Sequence, residues 1–155
     1  MVSFLNGLLV ACQLYFMLMN VTVERCYCHE PLSATDKRFL MPETWDFSNQ
    51  YNPLFLERPR WMQLATCVSA YGFLPFYAII LFAAATNRWH DLRTPIILFI
   101  GAKGYAIGFY HLMEFTSTKP PPNPIPYFAT EGPYIISIML VLLQLSRATT
   151  KPKLS

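Results

Sequence analysis

An all-α integral membrane protein, built as a four-helix bundle, is the fold class that the sequence predicts. The chain has 155 residues, of which 54% are hydrophobic and only 14% are charged, whereas a soluble domain carries about 25% charged residues. The apolar residues are concentrated in four stretches, which place the membrane spans at about 3–23, 61–84, 94–115 and 128–147. We therefore expect one transmembrane domain over residues 1–155, with residues 24–60 forming an extramembrane loop cap.

The second stretch gives the strongest of these signals. From Trp61 to Asn87 it contains no Lys, Arg, Asp, Glu or His. At about 1.5 Å per residue this length makes a helix of about 40 Å, which exceeds the ~30 Å hydrocarbon core of a bilayer. Pro75 lies in its middle and Gly72 just precedes it. We expect a kink there, because proline removes one backbone hydrogen bond.

The other spans are delimited by residues typical of helix ends. Glu24 and Arg25 are expected to end the first helix, which lacks a basic leader and a cleavage pattern and is expected to remain as the targeting signal. Thr94 suits the N-cap of the third helix and Pro95 its first position. A stiff proline-rich connector, 119–126, is expected to precede the fourth helix.

Three glycines form a stripe along the third span. Gly101, Gly104 and Gly108 follow one another at steps of three and four residues, so they share one face of a helix. Small residues at this spacing let two helix backbones approach closely. We predict that this face is used for helix packing.

The 24–60 segment has the composition of a folded cap rather than a membrane span. It mixes acidic and basic residues, and its four prolines interrupt any long helix. Aromatic residues would anchor it to the bundle, and we expect it to contain one short amphipathic helix.

The four cysteines do not form a disulfide framework by their spacing. Cys12 and Cys67 fall in apolar runs and are expected to be small core residues. Cys26 and Cys28 are too close in sequence to bridge each other easily. The run from Cys26 to Glu30 contains metal-ligand residue types but matches no strong zinc pattern. We expect no metal site and no cofactor.

The distribution of charge excludes one class of partner and does not orient the chain. The net charge is +3, and no basic cluster is interleaved with aromatic residues, so a nucleic acid is not expected as a partner. Basic residues are nearly balanced between the two sides of the bundle, so the positive-inside rule gives no orientation. The terminal residues 151–155 match a cytosolic K-x-K-x-x retrieval signal, which favours the endoplasmic reticulum.

A few ionisable residues fall within or near the spans, and each has two interpretations. Lys103 is expected to extend its long stem to the interface, although contact with a lipid headgroup, a ligand or another subunit is the alternative. His111 and Glu114 are expected to form an interfacial pair rather than a proton relay. Glu131 is near the start of the fourth span, where it could meet Glu114 or Lys119.

Several short motifs occur in an order and spacing that are found in a known family. They are Asn52-Pro53-Leu54, Pro59-Arg60-Trp61, Leu74-Pro75-Phe76, Leu92-Arg93-Thr94-Pro95-Ile96-Ile97 and Pro133-Tyr134 followed by an aliphatic run. The chain resembles the EXPERA family, which includes emopamil-binding protein and the sigma-2 receptor, and the sigma-2 receptor branch is the closest. The resemblance implies a four-helix bundle with cytosolic termini, residence in the endoplasmic reticulum, and an internal cavity for sterol-like or cationic amphiphilic ligands.

The chain departs from the family at the positions that carry its chemistry. The isomerases of the family use ionisable residues on the first and second helices. Here the first-helix region 14–21 has none, and Ser69 and Asn52 stand where the family has acidic residues. Because proton transfer needs a titratable group within reach, we predict that the chain is not an enzyme and has no catalytic residues.

These observations lead to one preferred function and two alternatives. The preferred hypothesis is a non-catalytic accessory subunit of a larger membrane complex, for example a respiratory complex of the mitochondrial inner membrane. The alternative is an endoplasmic reticulum protein that binds a sterol or another lipid, and a sterol isomerase is the third. Expected partners are membrane lipids, other membrane subunits and a sterol. The residues predicted to contact a ligand or lipid are Asn52, Ser69, Lys103, Tyr110 and Tyr134.

Overall fold

Four long helices dominate the computed structural model, which describes residues 4–150 and their side chains as far as residue 148. We number the helices in chain order: α1 Phe4–His29, α2 Met41–Tyr51, α3 Pro53–Glu57, α4 Arg60–Thr86, α5 Arg93–Phe115 and α6 Pro124–Thr150. Helices α1, α4, α5 and α6 are each long and apolar enough to cross a membrane. The predicted all-helical class, with four helices long and apolar enough to cross a membrane, is confirmed.

Chain connectivity determines which ends of the helices lie together. The cap and the connector before α6 lie at one end of the bundle, and the loop between α4 and α5 lies at the other, with the start of α1 and the end of α6. Large apolar side chains on the outer faces, such as Leu98 and Met139, are more than 60% exposed. Such a surface suits lipid rather than water.

The half of the bundle near the α4–α5 loop is closely packed. Ala83 and Ala84 on α4 are fully buried and bring that helix against α1, and Leu9, Ile80, Ile96 and Leu145 complete this core. Trp89 folds back from the loop and is only 1% exposed. The opposite half, under the cap, is hollow.

Buried polar side chains join α1 to its neighbours at intervals of seven residues. Asn6 accepts a hydrogen bond from the indole of Trp89 at 3.2 Å, and Gln13 donates to Ser137 on α6 at 3.0 Å. Asn20 donates to Ser69 on α4 at 3.5 Å. We call Asn6, Gln13 and Asn20 the amide ladder of α1. Each member is at most 2% exposed, so these hydrogen bonds form away from solvent.

Two π-helical turns interrupt α1 and α4 where these helices face each other. One is Asn20–Glu24 in α1, and the other is Val68–Phe73 in α4, directly before Pro75. A π-turn accommodates one extra residue and turns the following side chains to a new direction. The irregularity expected at Pro75 is therefore present, and it takes the form of a widened turn.

The first helix continues past the predicted end at residue 23, so that prediction is wrong. It runs to His29 because Glu24 faces the bundle interior rather than water, and because later residues satisfy its terminal carbonyls. Arg58 donates to the carbonyl oxygens of Tyr27 and Cys28 at 2.9 Å each, and Gln63 also donates to Cys28 at 2.9 Å. Side chains that bind the last carbonyls of a helix are an ordinary form of C-terminal capping.

The other predicted helix ends are corrected by smaller amounts. α6 begins at Pro124 instead of 128, because prolines fit a first helical turn, where no N–H is needed. The proline connector is shorter accordingly. α5 begins at Arg93 with Leu92 at its N-cap, and Thr94 provides no side-chain cap.

The cap starts after His29 and contains two short helices, α2 and α3, instead of one. Asn52 separates them and caps α3 by accepting a hydrogen bond from the Phe55 amide at 3.2 Å. The ring of Phe55 stacks on Tyr27 of α1 at a centroid distance of 3.9 Å. On the outer face, Arg38 binds Asp36 at 2.6 Å and holds the pKa of that carboxyl below its usual value.

A disulfide joins Cys28 at the end of α1 to Cys67 in α4, with the Cα atoms 5.0 Å apart. The expectation that Cys67 is a simple core residue is therefore wrong. The sequence gives no signal for this pair, because Cys67 lies in an apolar run 39 residues from Cys28. Cys12 and Cys26 are free.

The glycine stripe on α5 does not pack against another of the described helices. A side-chain carbon built at Gly101, Gly104 or Gly108 would meet nothing within 4 Å among the described atoms. Gly101 and Gly108 are exposed on the outer face. The predicted packing is thus absent within residues 4–150, and packing against a second chain stays a prediction.

Candidate functional site: a chamber under the cap

A chamber of about 700 Å³ occupies the hollow half of the bundle. α2 and α3 of the cap form its roof, and α1, α4, α5 and α6 form its walls. The roof residues are Leu40, Glu43, Thr44, Phe47, Ser48, Asn52 and Phe55. Most of the lining is apolar or aromatic, and the volume falls in the range of sites that enclose a drug-sized molecule.

Lys103 is buried in the wall of the chamber and does not reach the interface. Its exposed fraction is 2%, so the predicted interfacial position is wrong. The Nζ atom lies 4.4 Å from the ring centroid of Phe16, 4.5 Å from that of Tyr77 and 5.2 Å from that of Tyr134. Cation–π contacts with these rings stabilise the ammonium where water is excluded. We call Lys103 and these three rings the lysine box.

Glu24 lies beside the lysine box, at the level of the two π-turns. Its Oε2 accepts a hydrogen bond from Asn20 at 2.7 Å, and its Oε1 accepts one from the Tyr134 hydroxyl at 3.5 Å. The charges of Glu24 and Lys103 act on each other across the chamber. Within the described residues, however, none of the ion pairs includes Lys103.

A second polar group joins α5 to α6 nearer the connector. The Tyr127 hydroxyl donates to Oε2 of Glu114, and it lies 2.8 Å from Nδ1 of His111. The hydroxyl has one hydrogen, which Glu114 receives, so Nδ1 of His111 carries the proton in this assignment. Nε2 of His111 is then a hydrogen-bond acceptor, and it has no partner in the described part of the chain.

This arrangement corrects the predicted pairing of His111 with Glu114. The two side chains do not bond each other directly, because Tyr127 stands between them. Glu114 is fully buried, so it does not lie at an interface with water. His111 lines the chamber, and the three side chains form a buried bridge from the chamber to Glu114.

Glu131 lines the chamber between the two polar groups. It lies one helical turn from Tyr127 and one from Tyr134 on α6. The contacts that the sequence allowed with Glu114 or Lys119 do not occur among the ion pairs and hydrogen bonds of residues 4–150. Lys119 binds Glu57 of the cap at 2.5 Å instead.

The two polar groups are separated along α5 by an apolar wall. Lys103 and His111 are eight residues apart, which corresponds to about 12 Å along a helix. Ala106 and Ile107 lie between them on the chamber wall. A molecule that fills this space meets polar groups at two levels and apolar surface between.

All five residues that the sequence predicted as ligand contacts lie at this one chamber. They are Asn52, Ser69, Lys103, Tyr110 and Tyr134. Their role in binding stays a prediction. Three ionisable residues of the chamber were not among the predicted ligand contacts, namely Glu24, His111 and Glu131.

The side chains do not assemble a metal site in the described part of the chain. No group of three or more His, Cys, Asp or Glu residues there is close enough to hold an ion. Cys28 of the Cys26–Glu30 run is in the disulfide, which removes it as a thiolate ligand.

The fold and the chamber together define a class. The protein is an all-helical chain whose four long apolar helices suit an integral membrane protein, and they surround a chamber with buried ionisable groups. No protein-family model, no curated protein and no solved structure matches the chain.

Proposed function

We propose that this chain is an EXPERA-like membrane protein that binds a small amphiphilic molecule, of sterol or other lipid type, in the chamber. The observation that carries the proposal is a cavity of about 700 Å³ whose largely apolar lining is broken by Glu24, Lys103 and Glu131. Buried ionisable groups in a membrane span are costly and generally face a partner or a cavity.

The chemistry of the lining favours a ligand with a hydroxyl or amine head. The carboxylates of Glu24 and Glu131, which line the chamber, accept hydrogen bonds from such a head. An apolar body would cover the aromatic and aliphatic walls. A ligand of this kind reaches the chamber from the surrounding lipid without carrying a large polar surface through it.

Equilibrium binding of radiolabelled cholesterol and of hexadecanol to the purified protein in lipid nanodiscs tests the proposal. We expect saturable binding of at least one probe with one site per chain. Glu24→Gln should weaken that binding roughly tenfold, because a hydrogen bond to a charged group contributes about 1.5–3 kcal/mol.

Glu57→Gln is the matched control for this experiment. Glu57 is a glutamate of the cap that is exposed and lies outside the chamber lining, so its substitution should leave the affinity unchanged. Non-saturable uptake of both probes, or equal affinities of the Glu24→Gln and parent proteins, would contradict the proposal.

A second candidate, an accessory subunit of a membrane complex, is favoured by the unused glycine stripe. Gly101, Gly104 and Gly108 leave a shallow strip on α5 with space for the backbone of another helix. The sequence-based preference for this function depended partly on a first helix without ionisable residues, and Glu24 in α1 removes that support. The proposed role as a subunit is therefore supported by the glycine stripe.

Co-migration in mild detergent tests this second candidate. If another subunit packs on the stripe, Gly104→Leu should release the chain from a complex that the parent chain enters. Gly7→Leu on α1 is the control, because Gly7 is also exposed and has the same free space around it. If the parent chain migrates alone in extracts of native membranes, the result would contradict a role as an accessory subunit.

The expectation that the chain is not an enzyme stays a prediction. The chamber contains titratable groups on α1, α5 and α6, so the argument from missing acid–base residues is weaker than the sequence alone indicated. A sterol isomerase assay on the purified protein tests it directly, with no turnover as the expected result.

A further inference from the structure

The lysine box has a property that the proposed binding function does not use. Lys103 is 2% exposed, lines the chamber, and is surrounded by ring faces rather than by oxygen atoms. A lysine that serves only to stabilise the bundle would bring its ammonium to a carboxylate or a carbonyl. In residues 4–150 no hydrogen bond or ion pair satisfies this ammonium.

We propose that Lys103 is a covalent attachment site, which holds a long-chain aldehyde in the chamber as a Schiff base. The inference rests on the proposed function, because it requires that the chamber admit an amphiphile. It adds a second class of ligand head beside the hydroxyl or amine, a carbonyl carbon, and it names the atom that bonds to this carbon, Nζ of Lys103.

The surroundings of Lys103 supply what the bond formation needs. Nucleophilic lysines that form Schiff bases lie in water-poor, apolar pockets. Glu24, beside the box, acts on Lys103 through its charge, and it accepts the ammonium's proton by way of the Tyr134 hydroxyl, which bonds Glu24 and belongs to the box. Its own hydrogen bonds with Asn20 and Tyr134 hold it at that position.

The step balances with these groups alone. Glu24 takes one proton from the Lys103 ammonium, and the neutral amine attacks the aldehyde carbon to form a carbinolamine. Glu24 returns the proton to the hydroxyl, which leaves as water while the C=N bond forms. The product is a protonated imine beside a carboxylate, so the net charge of the site does not change.

The box is suited to the product as well as to the free lysine. A protonated imine carries the positive charge at the same nitrogen, so the rings of Phe16, Tyr77 and Tyr134 continue to stabilise it. The aldehyde itself is uncharged and enters from lipid at little cost. The chain of the ligand then lies along the apolar wall between Lys103 and His111, a span of about 12 Å.

Reductive trapping on the parent protein tests the proposal. The protein in lipid nanodiscs is incubated with hexadecanal and sodium cyanoborohydride, and the modified lysines are located by peptide mass spectrometry. We expect labelling of Lys103 at least tenfold above that of Lys37 and Lys119, which are exposed. Propanal, which lacks the apolar chain, should reverse this preference.

Binding of hexadecanol, which cannot form an imine, separates the two proposals. If hexadecanol binds saturably and Lys103 is labelled no more than Lys37 and Lys119, the attachment site is refuted while the binding function stands. If neither occurs, both are refuted. Lys103→Arg keeps the cation but not the nucleophile, so labelling in the chamber should be lost while Lys37 and Lys119 are labelled as in the parent protein.

Discussion

The hydroxyl of Tyr127 connects a chamber residue to a carboxyl that water does not reach. It donates to Glu114 and lies within hydrogen-bonding distance of His111. Both Tyr127 and Glu114 are fully buried. A buried carboxyl that loses its donor bears the desolvation cost without compensation. The bridge therefore contributes to stability whether or not it takes part in binding.

Tyr127→Phe should lower the free energy of unfolding by about 1–3 kcal/mol, because Glu114 loses its donor while the ring packing is kept. Denaturant unfolding in detergent micelles, followed by tyrosine and tryptophan fluorescence, measures the change. Tyr105→Phe is the control, since Tyr105 is 77% exposed on the outer face, and its substitution should change little. Equal effects of the two substitutions would contradict the role of the bridge.

The candidate site could be predicted from the sequence only in part. The motif resemblance pointed to Asn52, Ser69 and Tyr134, and the position of a charged residue within a span pointed to Lys103. Glu24 was missed because a charged residue after an apolar run was interpreted as a helix end. The regular spacing of Asn6, Gln13 and Asn20 was the available signal, since it marks an interior polar face that continues to Glu24.

Two elements of the bundle, the π-turns of α1 and α4, face each other at the level of Glu24. Each inserts one residue relative to a regular helix and so sets the rotation of everything that follows it. In α1 the following segment contains Tyr27, which stacks on Phe55, and Cys28, which bonds Cys67. The π-turn thus determines whether α1 meets the cap and α4 in register.

Inserting an alanine after Val21 should prevent the disulfide. The π-turn already holds one extra residue, so a second one rotates Cys28 by about 100° around the axis of α1, and a disulfide tolerates only a narrow range of Cα distances. Thiol alkylation followed by intact mass measurement counts the free cysteines, and the insertion should show two more than the parent protein. Val21→Ala keeps the residue count and should retain the bond. A disulfide that survives the insertion would contradict this account.

The long apolar elements were predictable because membrane spans are defined by composition and length, which the sequence states directly. The π-turns were not, because the run Asn20–Glu24 has no residue that demands a widened turn. Its geometry depends on contacts with α4 that are distant in sequence. The same reason explains the missed disulfide, whose two cysteines are separated by the whole cap.

The Cys28–Cys67 disulfide, which lies under the cap, indicates how the whole molecule is oriented in the membrane. Disulfides form and persist in oxidising compartments and are rare where glutathione keeps thiols reduced. We therefore predict that the cap faces the oxidising side of the membrane and that the α4–α5 loop faces the other. The positive-inside rule gave no orientation, because basic residues are nearly balanced between the two sides of the bundle. The retrieval signal predicted at 151–155 falls outside the described residues.

Single reactive cysteines, placed on the two sides in a background with Cys12→Ser and Cys26→Ser, test the orientation. Ala34→Cys lies on the exposed cap, and His90→Cys lies on the exposed α4–α5 loop. In sealed vesicles a membrane-impermeant maleimide should label only one of the two variants, and detergent should make both reactive. In vesicles whose lumen derives from the oxidising compartment, Ala34→Cys should be the protected one. Labelling of both variants in intact vesicles would contradict the topology.

The amide ladder gives α1 a single admissible depth within the bundle. Sliding this helix by one turn would remove Asn6 from Trp89, Gln13 from Ser137 and Asn20 from Ser69 in one movement. Each stranded amide would then lie in a medium that offers it no water, at a cost of several kcal/mol. Hydrophobic length alone fixes the axial position of a membrane helix only approximately. These three hydrogen-bonding side chains restrict α1 to one axial position relative to its neighbours.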